Sequence, residues 1–369
     1  MPHVDASAAP GSPPGLPGGY VPHVPVPDEE PCLVDPVGRR ITYLRLSILE
    51  SCNLHCTYCR PAGEAGVAAR RPTMDAAEIV RIGSVFVSAG VRKIRLTGGE
   101  PTLHPGLVSI VRSLAALAPV PPILALTTNG VLLPRLARPL AEAGLSRLNV
   151  SLDATTREAF RALTGRDRLD AVRAGIDAAL EAGFARVKIN AVVLAGQNDD
   201  QLEPLALLAR DLPLDVRFIE HMPLPGTTMP PGSPAGLPGG PLTAAEIERR
   251  LAARFELEEL PKEPDAGPAR MFAVRGFRGR LGLVSPFSAR FCSDCNRLRV
   301  TSRGALRLCL LGGGEVDLLS GIRRGEPGAR LLAVVRRALL GKAERHPFGN
   351  ALAAGSAPAC STPMWAVGG

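Results

Sequence analysis

Six of the eight cysteines of this chain fall into two widely separated sets of three. The first set comprises Cys52, Cys56 and Cys59, and the second comprises Cys292, Cys295 and Cys309. Three thiolates can hold three irons of a four-iron, four-sulfur cube and leave the fourth iron open to a small molecule, whereas a structural zinc site takes four protein ligands. His55 could complete a zinc site at the first set, but the C-x3-C-x2-C spacing is uncommon for zinc. The sequence therefore predicts two reactive iron–sulfur centres.

The overall composition is that of a soluble enzyme. The 369 residues, 46% of them hydrophobic, can bury the core of one large domain or of two. Residues 1–31 do not resemble a signal peptide, and no apolar run approaches the ~20 residues that span a bilayer. We therefore expect a cytoplasmic protein with reduced cysteines, in which Cys32 and Cys360 are small buried side chains.

The net charge of +8 is compatible with several kinds of partner. A basic chain can bind nucleic acid, a membrane surface or a phosphorylated metabolite. Aromatic residues make up only 4% of the chain, which argues against a stacking surface for single strands. The positions of the arginines in the chain have to distinguish between these kinds of partner. We expect neither a nucleic acid nor a membrane as partner.

Short β-branched runs alternate with amphipathic stretches from residue 41 onward. The predicted strands are Tyr43–Ile48, Lys93–Thr97, Ile123–Thr128, Arg147–Leu152, Val187–Val193 and Val216–Glu220. The predicted helices are Ala76–Ala89, Leu107–Leu117, Leu136–Ala143, Leu169–Ala182 and Gln201–Leu208. Parallel strands need crossover connections, so this alternation predicts an α/β fold. Six units fall short of eight, which predicts an incomplete (βα)6 barrel of the TIM type with its active site at the carboxyl ends of the strands.

Composition divides the whole chain into five regions. Residues 1–36 are rich in Pro and Gly and are predicted to be a disordered extension. The barrel at 37–222 is followed by a Pro/Gly-rich linker at 223–243. A C-terminal extension at 244–363 carries the second cysteine set, and a tail at 364–369 ends the chain.

The C-terminal extension has its own element pattern. Helices are predicted at Thr243–Phe255 and Gly321–Leu340, and residues 271–310 are rich in strand and turn signals. The second cysteine set is therefore expected outside the barrel proper.

The first cysteine set resembles the signature of the radical S-adenosylmethionine (SAM) enzymes. Its Cys-x-x-x-Cys-x-aromatic-Cys pattern, with Tyr58 as the aromatic residue, follows the first predicted strand. Gly98, Gly99 and Glu100 end the second strand and resemble the Gly-Gly-Glu segment of that superfamily. Glycines allow a close backbone approach, and backbone groups there can hold the amino group of SAM.

The second set narrows the resemblance to the GTP 3′,8-cyclase family of molybdenum cofactor biosynthesis. Cys-x2-Cys-x13-Cys stands there with Arg297 and Arg299, and the chain ends in Gly368 and Gly369. The likeness runs from about residue 40 to the last residue. Two alternatives remain: a radical SAM enzyme that modifies peptides with an auxiliary cluster, and a non-catalytic iron–sulfur or zinc protein that binds RNA or protein.

Basic residues in the predicted strands support a phosphorylated substrate. Arg45 lies in the first predicted strand and Arg95 in the second, and each alternates with apolar residues. Lys93, two residues before Arg95, is on the same face of its strand. Interior basic residues are costly unless they meet negative charge, and Arg forks match phosphate oxygens. The alternative is that they are surface charges or structural ion pairs.

The resemblance assigns roles residue by residue. It implies catalytic roles for Cys52, Cys56, Cys59, Arg45 and Arg95, and SAM contacts for Tyr58, Gly98, Gly99, Glu100, Ser151 and Met222. It implies GTP contacts for Arg45, Lys93, Arg95, Thr127, Lys188, Arg217, Arg297, Arg299, Gly368 and Gly369. Arg60 and the 223–241 stretch depart from the family pattern, and Arg60 could alter the surroundings of the first cluster.

The resemblance also implies a mechanism with two [4Fe-4S] clusters and SAM. An electron from a reduced flavodoxin- or ferredoxin-type donor would cleave SAM at the first cluster and release a 5′-deoxyadenosyl radical. This radical would take hydrogen from C3′ of GTP, and the carbon radical would close onto C8, giving (8S)-3′,8-cyclo-7,8-dihydroguanosine 5′-triphosphate. The second cluster would hold guanine. The downstream partner would be cyclic pyranopterin monophosphate synthase, and the chain is expected to be a monomer or homodimer.

Overall fold

A computed structural model describes residues 32–59, 73–118, 122–222, 242–263, 267–286, 288–289, 291–312 and 314–346. The predictions made for Arg60, Cys360, Gly368 and Gly369, and for the linker at 223–241, lie outside these residues. None of the helices in the described ranges is long and apolar enough to cross a bilayer.

The described strands form one sheet, and all six predicted strands are present with bounds within two residues of the prediction. The first six strands are β1 (Tyr43–Ser47), β2 (Lys93–Thr97), β3 (Ile123–Thr128), β4 (Arg147–Ser151), β5 (Val187–Val193) and β6 (Leu214–Glu220). The later strands are β7 (Leu257–Leu260), β8 (Arg270–Val274), β9 (Arg280–Val284), β10 (Arg297–Val300), β11 (Ala305–Arg307) and β12 (Val316–Asp317). Their order is β12-β11-β10-β1-β2-β3-β4-β5-β6-β9-β8-β7.

Strands from the C-terminal extension lengthen the parallel part of this sheet at both sides. Strand β10 pairs parallel with β1, and β9 pairs parallel with β6. The sequence placed these residues outside the barrel proper, since nothing local in a strand indicates a partner hundreds of residues away. The second cysteine set is therefore attached to the sheet that also positions the first.

The helices are α1 (Ala76–Ser88), α2 (Leu107–Ala115), α3 (Leu133–Glu142), α4 (Arg157–Thr164), α5 (Leu169–Glu181), α6 (Leu202–Asp211), α7 (Ala244–Ala252), α8 (Leu319–Arg323) and α9 (Gly328–Leu339). Helix α1 begins with a capping box, in which Asp75 accepts from the Glu78 amide and the Glu78 carboxylate accepts from the Asp75 amide. Helix α7 begins at the predicted cap, Thr243.

Two helix predictions need correction. Helix α4 was not predicted, although Thr156 caps its start and Gly165, with φ 67°, ends it. The single helix predicted at Gly321–Leu340 is two helices, α8 and α9. The chain turns at Gly325, with φ 74°, and Pro327 precedes the new helix, because a proline ring cannot continue the first one.

One face of the parallel strands forms the core and is apolar except at the ends of β3 and β6, where Thr128 and Glu220 lie. Its central residues are at most 1% exposed: Leu44, Leu46, Ile94, Leu96, Leu124, Leu126, Leu148, Val150, Ile189, Val216, Phe218, Leu281, Leu283, Leu298 and Val300. The buried sides of helices α1 to α7 and of α9 belong to the same hydrophobic cluster. Helices thus cover this face of the parallel sheet, and the alternate residues of each strand point to the opposite face.

The start of the described chain is packed onto the same core. Leu33 is 1% exposed, and buried Asp35 accepts from the Arg39 side chain at 2.5 Å. The predicted disordered extension at 1–36 was thus drawn too long at residues 32–36, because the Pro/Gly-rich composition of the preceding residues masked one apolar anchor.

Candidate active site

The second face of the parallel strands is polar and basic. Alternation along each strand puts a basic residue on this face in β1, β2, β5, β6 and β10. We call these residues the cationic face: Arg45, Lys93, Arg95, Lys188, Arg217, Arg297 and Arg299. They are partly or fully buried, and a set of like charges away from water is stable only beside negative charge.

Arg95 is held in place by three acceptors before any ligand arrives. Its Nε donates to the Tyr43 hydroxyl at 2.6 Å, and its Nη1 donates to the Leu126 carbonyl and the Thr127 hydroxyl at 3.1 Å each. Thr127, predicted from the resemblance, is thus brought onto the cationic face.

Arg45 lies between two other arginines, since its register partners are Arg95 on β2 and Arg299 on β10. Burial and the charge of Arg299 lower the pKa of Arg45 well below its usual value. Burial and the charge of Arg297 lower the pKa of Arg299 to about 10. Both lowered pKa values mean that the ionised forms of Arg45 and Arg299 are destabilised next to each other in the ligand-free protein.

The far side of the cationic face carries Lys188 and Arg217. Arg217 Nη2 donates to Asn190 Oδ1 at 2.6 Å, whereas its buried Nε has no partner among the described residues. Lys188 lies 3.8 Å from Asp215, which also binds Arg280 through two contacts of 2.9 Å. Burial and the Arg217 charge outweigh Asp215 and lower the pKa of Lys188 to about 8. Asp215 is thus already shared, which leaves this side short of negative charge.

Tyr43 lies in the middle of the basic side chains. The Lys93 ammonium stands 4.9 Å from its ring centroid, and the Arg297 guanidinium carbon 5.7 Å. Burial would raise the pKa of Tyr43, but the charges of Arg95, Arg45, Lys93 and Arg297 together lower it to about 7. Its phenol therefore responds to whatever neutralises the cationic face.

Several buried polar atoms of this face have no hydrogen-bond partner within the described ranges. They are the Ser47 and Thr97 hydroxyls, Asn149 Oδ1, and the Nε atoms of Arg217 and Arg297. An unsatisfied buried polar group costs about 1–3 kcal/mol. Their clustering on the face that also carries the buried cations points to a polar, anionic ligand.

The first cysteine set lies at the carboxyl edge of the sheet, just after β1. The segment before it packs backbone to backbone on the Gly-Gly-Glu segment: the Gly99 amide donates to the Leu49 carbonyl at 2.6 Å, and the Glu100 amide to the Ser51 carbonyl at 2.8 Å. A Cβ at Gly99 would lie 2.4 Å from the carbonyl oxygens of Glu50 and Ser51. Glycine at position 99 is therefore required by contact with the cysteine loop. The SAM contacts predicted for Gly98 and Gly99 stay a prediction.

The Glu100 side chain is a structural link to the third strand. It is 1% exposed and accepts from the Thr102 amide at 3.0 Å, the Thr128 hydroxyl at 2.7 Å and the Asn129 amide at 2.7 Å. With these partners the carboxylate fixes the loop, so any contact of this segment with SAM falls to its backbone.

Tyr58 is fixed in a similar way. Its hydroxyl donates to Asp153 Oδ2 at 2.7 Å, and the other Asp153 oxygen accepts from the Val192 amide at 2.8 Å. Burial raises the pKa of Asp153 to about 6, although the Tyr58 hydrogen bond opposes the shift. This link orients Tyr58 toward the ends of β4 and β5, where Ser151 lies.

The thiols of the first set are close enough to influence one another. Burial, then the charges of Asp153, Cys59 and Cys52, raise the pKa of Cys56 well above its usual value. The Leu54 amide donates to Cys52 Sγ at 3.4 Å, and Asn129 Nδ2 at 3.8 Å. In the described part of the chain no three thiol, imidazole or carboxylate groups converge on a single ion. Ligands of a cube each bind a different iron, so three partly buried, neighbouring thiols fit a cluster better than zinc.

The second cysteine set lies at the opposite, amino edge of the sheet, because Cys295 precedes β10. Asn296, which follows Cys295, is bonded to the start of β1. Its carbonyl accepts from the Thr42 and Tyr43 amides at 3.1 Å each, and its side chain donates to Thr42 at 2.9 Å. The charges of Cys309 and Cys295 act on Arg299, which places both thiols beside the cationic face. The cationic face thus lies between the two cysteine sets.

Two basic residues outside the strands hold the loops of the second set. Arg39 donates to the Cys292 carbonyl at 2.8 Å, and buried Lys342 donates to the carbonyls of Arg297 at 3.2 Å and Leu308 at 2.5 Å. Met222, predicted to contact SAM, packs with Leu311 near Cys309.

Sequence reasoning missed Tyr43, Asn149, Asn190, Asp153 and Lys342 as members of the site. The first three were detectable, since each alternates with buried apolar residues in its strand. Lys342 gives no such signal, because its role depends on two loops that are distant in sequence.

Two protein-family models match consecutive parts of the chain. Residues 46–209 match the model of the radical SAM superfamily, and residues 214–348 match that of the Molybdenum Cofactor Synthesis C family. A GTP 3′,8-cyclase from Moorella thermoacetica is 42% identical over 316 residues, covering 86% of this chain and 95% of that protein. The GTP 3′,8-cyclase of Geobacter sulfurreducens is 42% identical over 314 residues, covering 85% and 94%.

More distant likenesses agree on the fold. Molybdenum cofactor biosynthesis protein 1 of Bos taurus is 39% identical over 315 residues, which is 85% of this chain and 48% of that protein. The crystal structure of Streptococcus suis SuiB bound to S-adenosylmethionine superposes with a TM-score of 0.56 at 17% identity, covering 86% of this chain and 76% of that one. At this identity the likeness concerns the fold alone.

Proposed function

Since the chain belongs to the GTP 3′,8-cyclase family within the radical SAM superfamily, we infer that it is a lyase converting GTP to (8S)-3′,8-cyclo-7,8-dihydroguanosine 5′-triphosphate, the first step of molybdenum cofactor biosynthesis. The observation that carries this inference is the buried cationic face between the two cysteine sets. A nucleoside triphosphate supplies the negative charge that this face lacks. The alternative of a peptide-modifying enzyme gives no reason for a buried face that carries seven basic residues.

We propose that the triphosphate lies along the cationic face. Arg95 is oriented in advance by Tyr43 and Thr127, so little side-chain entropy is lost when it meets a phosphate oxygen. The partnerless Nε atoms of Arg217 and Arg297 can donate to further oxygens. In this arrangement the polar face lines the interior of a partial barrel, and the Gly368–Gly369 tail is proposed to reach the same space.

The two edges of the sheet would hold the cofactors. We propose that Cys52, Cys56 and Cys59 hold one [4Fe-4S] cluster, and that Cys292, Cys295 and Cys309 hold the second beside Arg299. When bound, the first cluster and SAM supply a radical able to remove hydrogen from carbon. Tyr58, Ser151, Met222 and the carbonyls of Gly98 and Gly99 are the proposed SAM contacts.

The protein side chains then orient rather than react. Phosphate anchors at one set of strands and a purine anchor at the amino edge fix the ribose between the two cysteine sets. A displacement of about 1 Å can lower a rate on the order of a hundredfold, which explains why so many rigid contacts are present. The electron donor is proposed to be a flavodoxin- or ferredoxin-type protein, and the consumer of the product a cyclic pyranopterin monophosphate synthase.

The test uses anaerobically reconstituted protein with SAM, GTP and dithionite. We expect about eight irons per chain, four for each cluster, and the cyclised triphosphate as product. Cys309→Ala should retain SAM cleavage but yield no cyclised product. Zinc in place of iron, or product formed by Cys309→Ala, would contradict the proposed roles.

A further inference from the structure

A cavity next to the first cysteine set is not used by the site described above. It has a volume of ≈ 490 Å³ and is lined by Cys52, His55, Val131, Leu132, Arg166 and Arg168, together with Asn53. His55, Arg166 and Arg168 are exposed, in contrast to the buried arginines of the cationic face. Solvent therefore reaches the neighbourhood of a cluster ligand from the outside of the protein.

The wall of this cavity is bonded directly to the cysteine loop. The His55 amide donates to the Thr164 carbonyl and the Thr57 amide to the Leu163 carbonyl, both at 2.9 Å. Gly165 follows with φ 67°, and a Cβ there would lie 3.4 Å from the Cβ of His55. The last carbonyls of α4 thus hold the cysteine loop, and the segment with Arg166 and Arg168 continues from that contact.

The exposed charge around this cavity is positive. Among the described residues Arg166 and Arg168 make no ion pair. The acidic residues beside them are already paired: Asp167 lies 2.7 Å from Arg157, and Asp170 also contacts Arg157. Within the described ranges, an approaching protein therefore meets two guanidinium groups that form no ion pair, and an imidazole, next to Cys52.

We propose that this surface is the docking site for a small acidic one-electron carrier protein that reduces the first cluster. The inference rests on the proposed function, because only a redox-active cluster at Cys52, Cys56 and Cys59 requires such a partner. One electron passes from the reduced carrier to the cluster, the carrier is oxidised by one electron, and no atom or proton is transferred. Electron-transfer complexes are small and transient, and charges at their rims mainly govern encounter and its salt dependence.

Direct binding is the first test. Oxidised flavodoxin serves as the acidic probe, with the full chain carrying its clusters, so that no turnover is involved. We expect Arg166→Glu/Arg168→Glu to weaken binding about tenfold at low salt, since rim charges steer association. The difference should shrink above about 0.5 M salt, where charges are screened within a few ångströms. The control is Arg92→Glu/Arg275→Glu, two exposed arginines at the opposite, amino edge of the sheet, which should bind like the unaltered protein.

Activity with two reductants is the second test. With reduced flavodoxin the Arg166→Glu/Arg168→Glu protein should cyclise GTP about tenfold more slowly at low carrier concentration, whereas with dithionite it should match the unaltered protein. Arg166→Gln/Arg168→Gln should show a smaller loss in the same direction. Equal binding and equal flavodoxin-driven rates in altered and unaltered proteins would overturn the docking site. Absence of cyclised product from the unaltered protein with dithionite would instead overturn the proposed function, and this inference with it.

Discussion

At the scale of single residues, the buried charges of the cationic face destabilise the ligand-free protein but favour binding of a polyanion. Arg45, Arg217 and Arg299 all have a lowered pKa because burial and neighbouring charges disfavour their ionised forms. The same charges would be stabilised by a polyanion. Removing one of them should therefore affect binding and folding in opposite senses.

Arg217→Met tests this relation. We expect GTP affinity to fall about ten- to a hundredfold, because a hydrogen bond to a charged group contributes about 1.5–3 kcal/mol. The free energy of unfolding without ligand should not decrease, since a buried charge is replaced by an apolar chain of similar length. Calorimetric titration and denaturant unfolding measure the two quantities. Arg210→Met, at an exposed arginine paired with Asp211, should change neither; a large loss of stability in Arg217→Met would count against this view.

The pH dependence of GTP binding should report on Tyr43. Its pKa is about 7 in the free protein, and a triphosphate that neutralises the surrounding charges raises it. The complex then holds more protons, so GTP affinity falls as pH rises through about 7, by at most about tenfold per pH unit for one proton. Tyr43→Phe should show a flatter profile between pH 7 and 8, where GTP itself ionises equally for both proteins. Anaerobic calorimetry measures the profiles; parallel curves would remove Tyr43 from the linkage.

At the scale of elements, the strands were far more predictable than their partners. Alternation in β1 and β2 gives both the apolar core positions and Arg45, Lys93 and Arg95, because period two is a local property of the sequence. The close approach of Gly99 to Glu50 and Ser51 is not local, so the sequence did not indicate this second requirement for glycine.

Gly99→Ala should disturb the first cysteine set selectively. Its Cβ would stand 2.4 Å from two backbone oxygens, so the cysteine loop has to move. We expect about half of the iron to be lost and SAM cleavage to be abolished, whereas iron at the second set remains. Iron analysis with Mössbauer spectroscopy distinguishes the sites. Gly267→Ala is the control, since nothing lies within 4 Å of its added Cβ; full SAM cleavage by Gly99→Ala would refute the steric argument.

At the scale of the whole molecule, the C-terminal strands complete the sheet that the first half begins. Strand β10 links the two cysteine sets: Asn296 at its start binds Thr42, and Ser302 and Arg303 after its end bind Glu50 at 3.0 and 2.7 Å. Sequence reasoning found strand and turn signals at residues 271–310 but treated this stretch as a region separate from the barrel. The pairing joins residues 254 positions apart, and no local periodicity encodes it.

A chain ending at Met222 should therefore fail to fold. Strands β1 and β6 would become edges, with unpaired backbone groups beside a large apolar face. We expect the fragment to be insoluble, as measured by its soluble fraction and circular dichroism. The full chain with Cys292→Ala, Cys295→Ala and Cys309→Ala keeps β9 and β10 and should stay soluble, which separates loss of strands from loss of metal. A soluble, cooperatively unfolding fragment would contradict this expectation.

The position of β10 in the sequence also determines how late during translation β1 can pair with it. The 254 residues between Thr42 and Asn296 take roughly 13–50 s to synthesise at about 5–20 residues per second. Throughout that interval β1 has no neighbour on its β10 side, and the thiols of Cys52, Cys56 and Cys59 already exist without the enclosure that later surrounds them. We therefore expect iron and sulfide to be inserted after the chain leaves the ribosome. We also expect a chaperone to cover the unpaired edge of β1 until β10 has been synthesised.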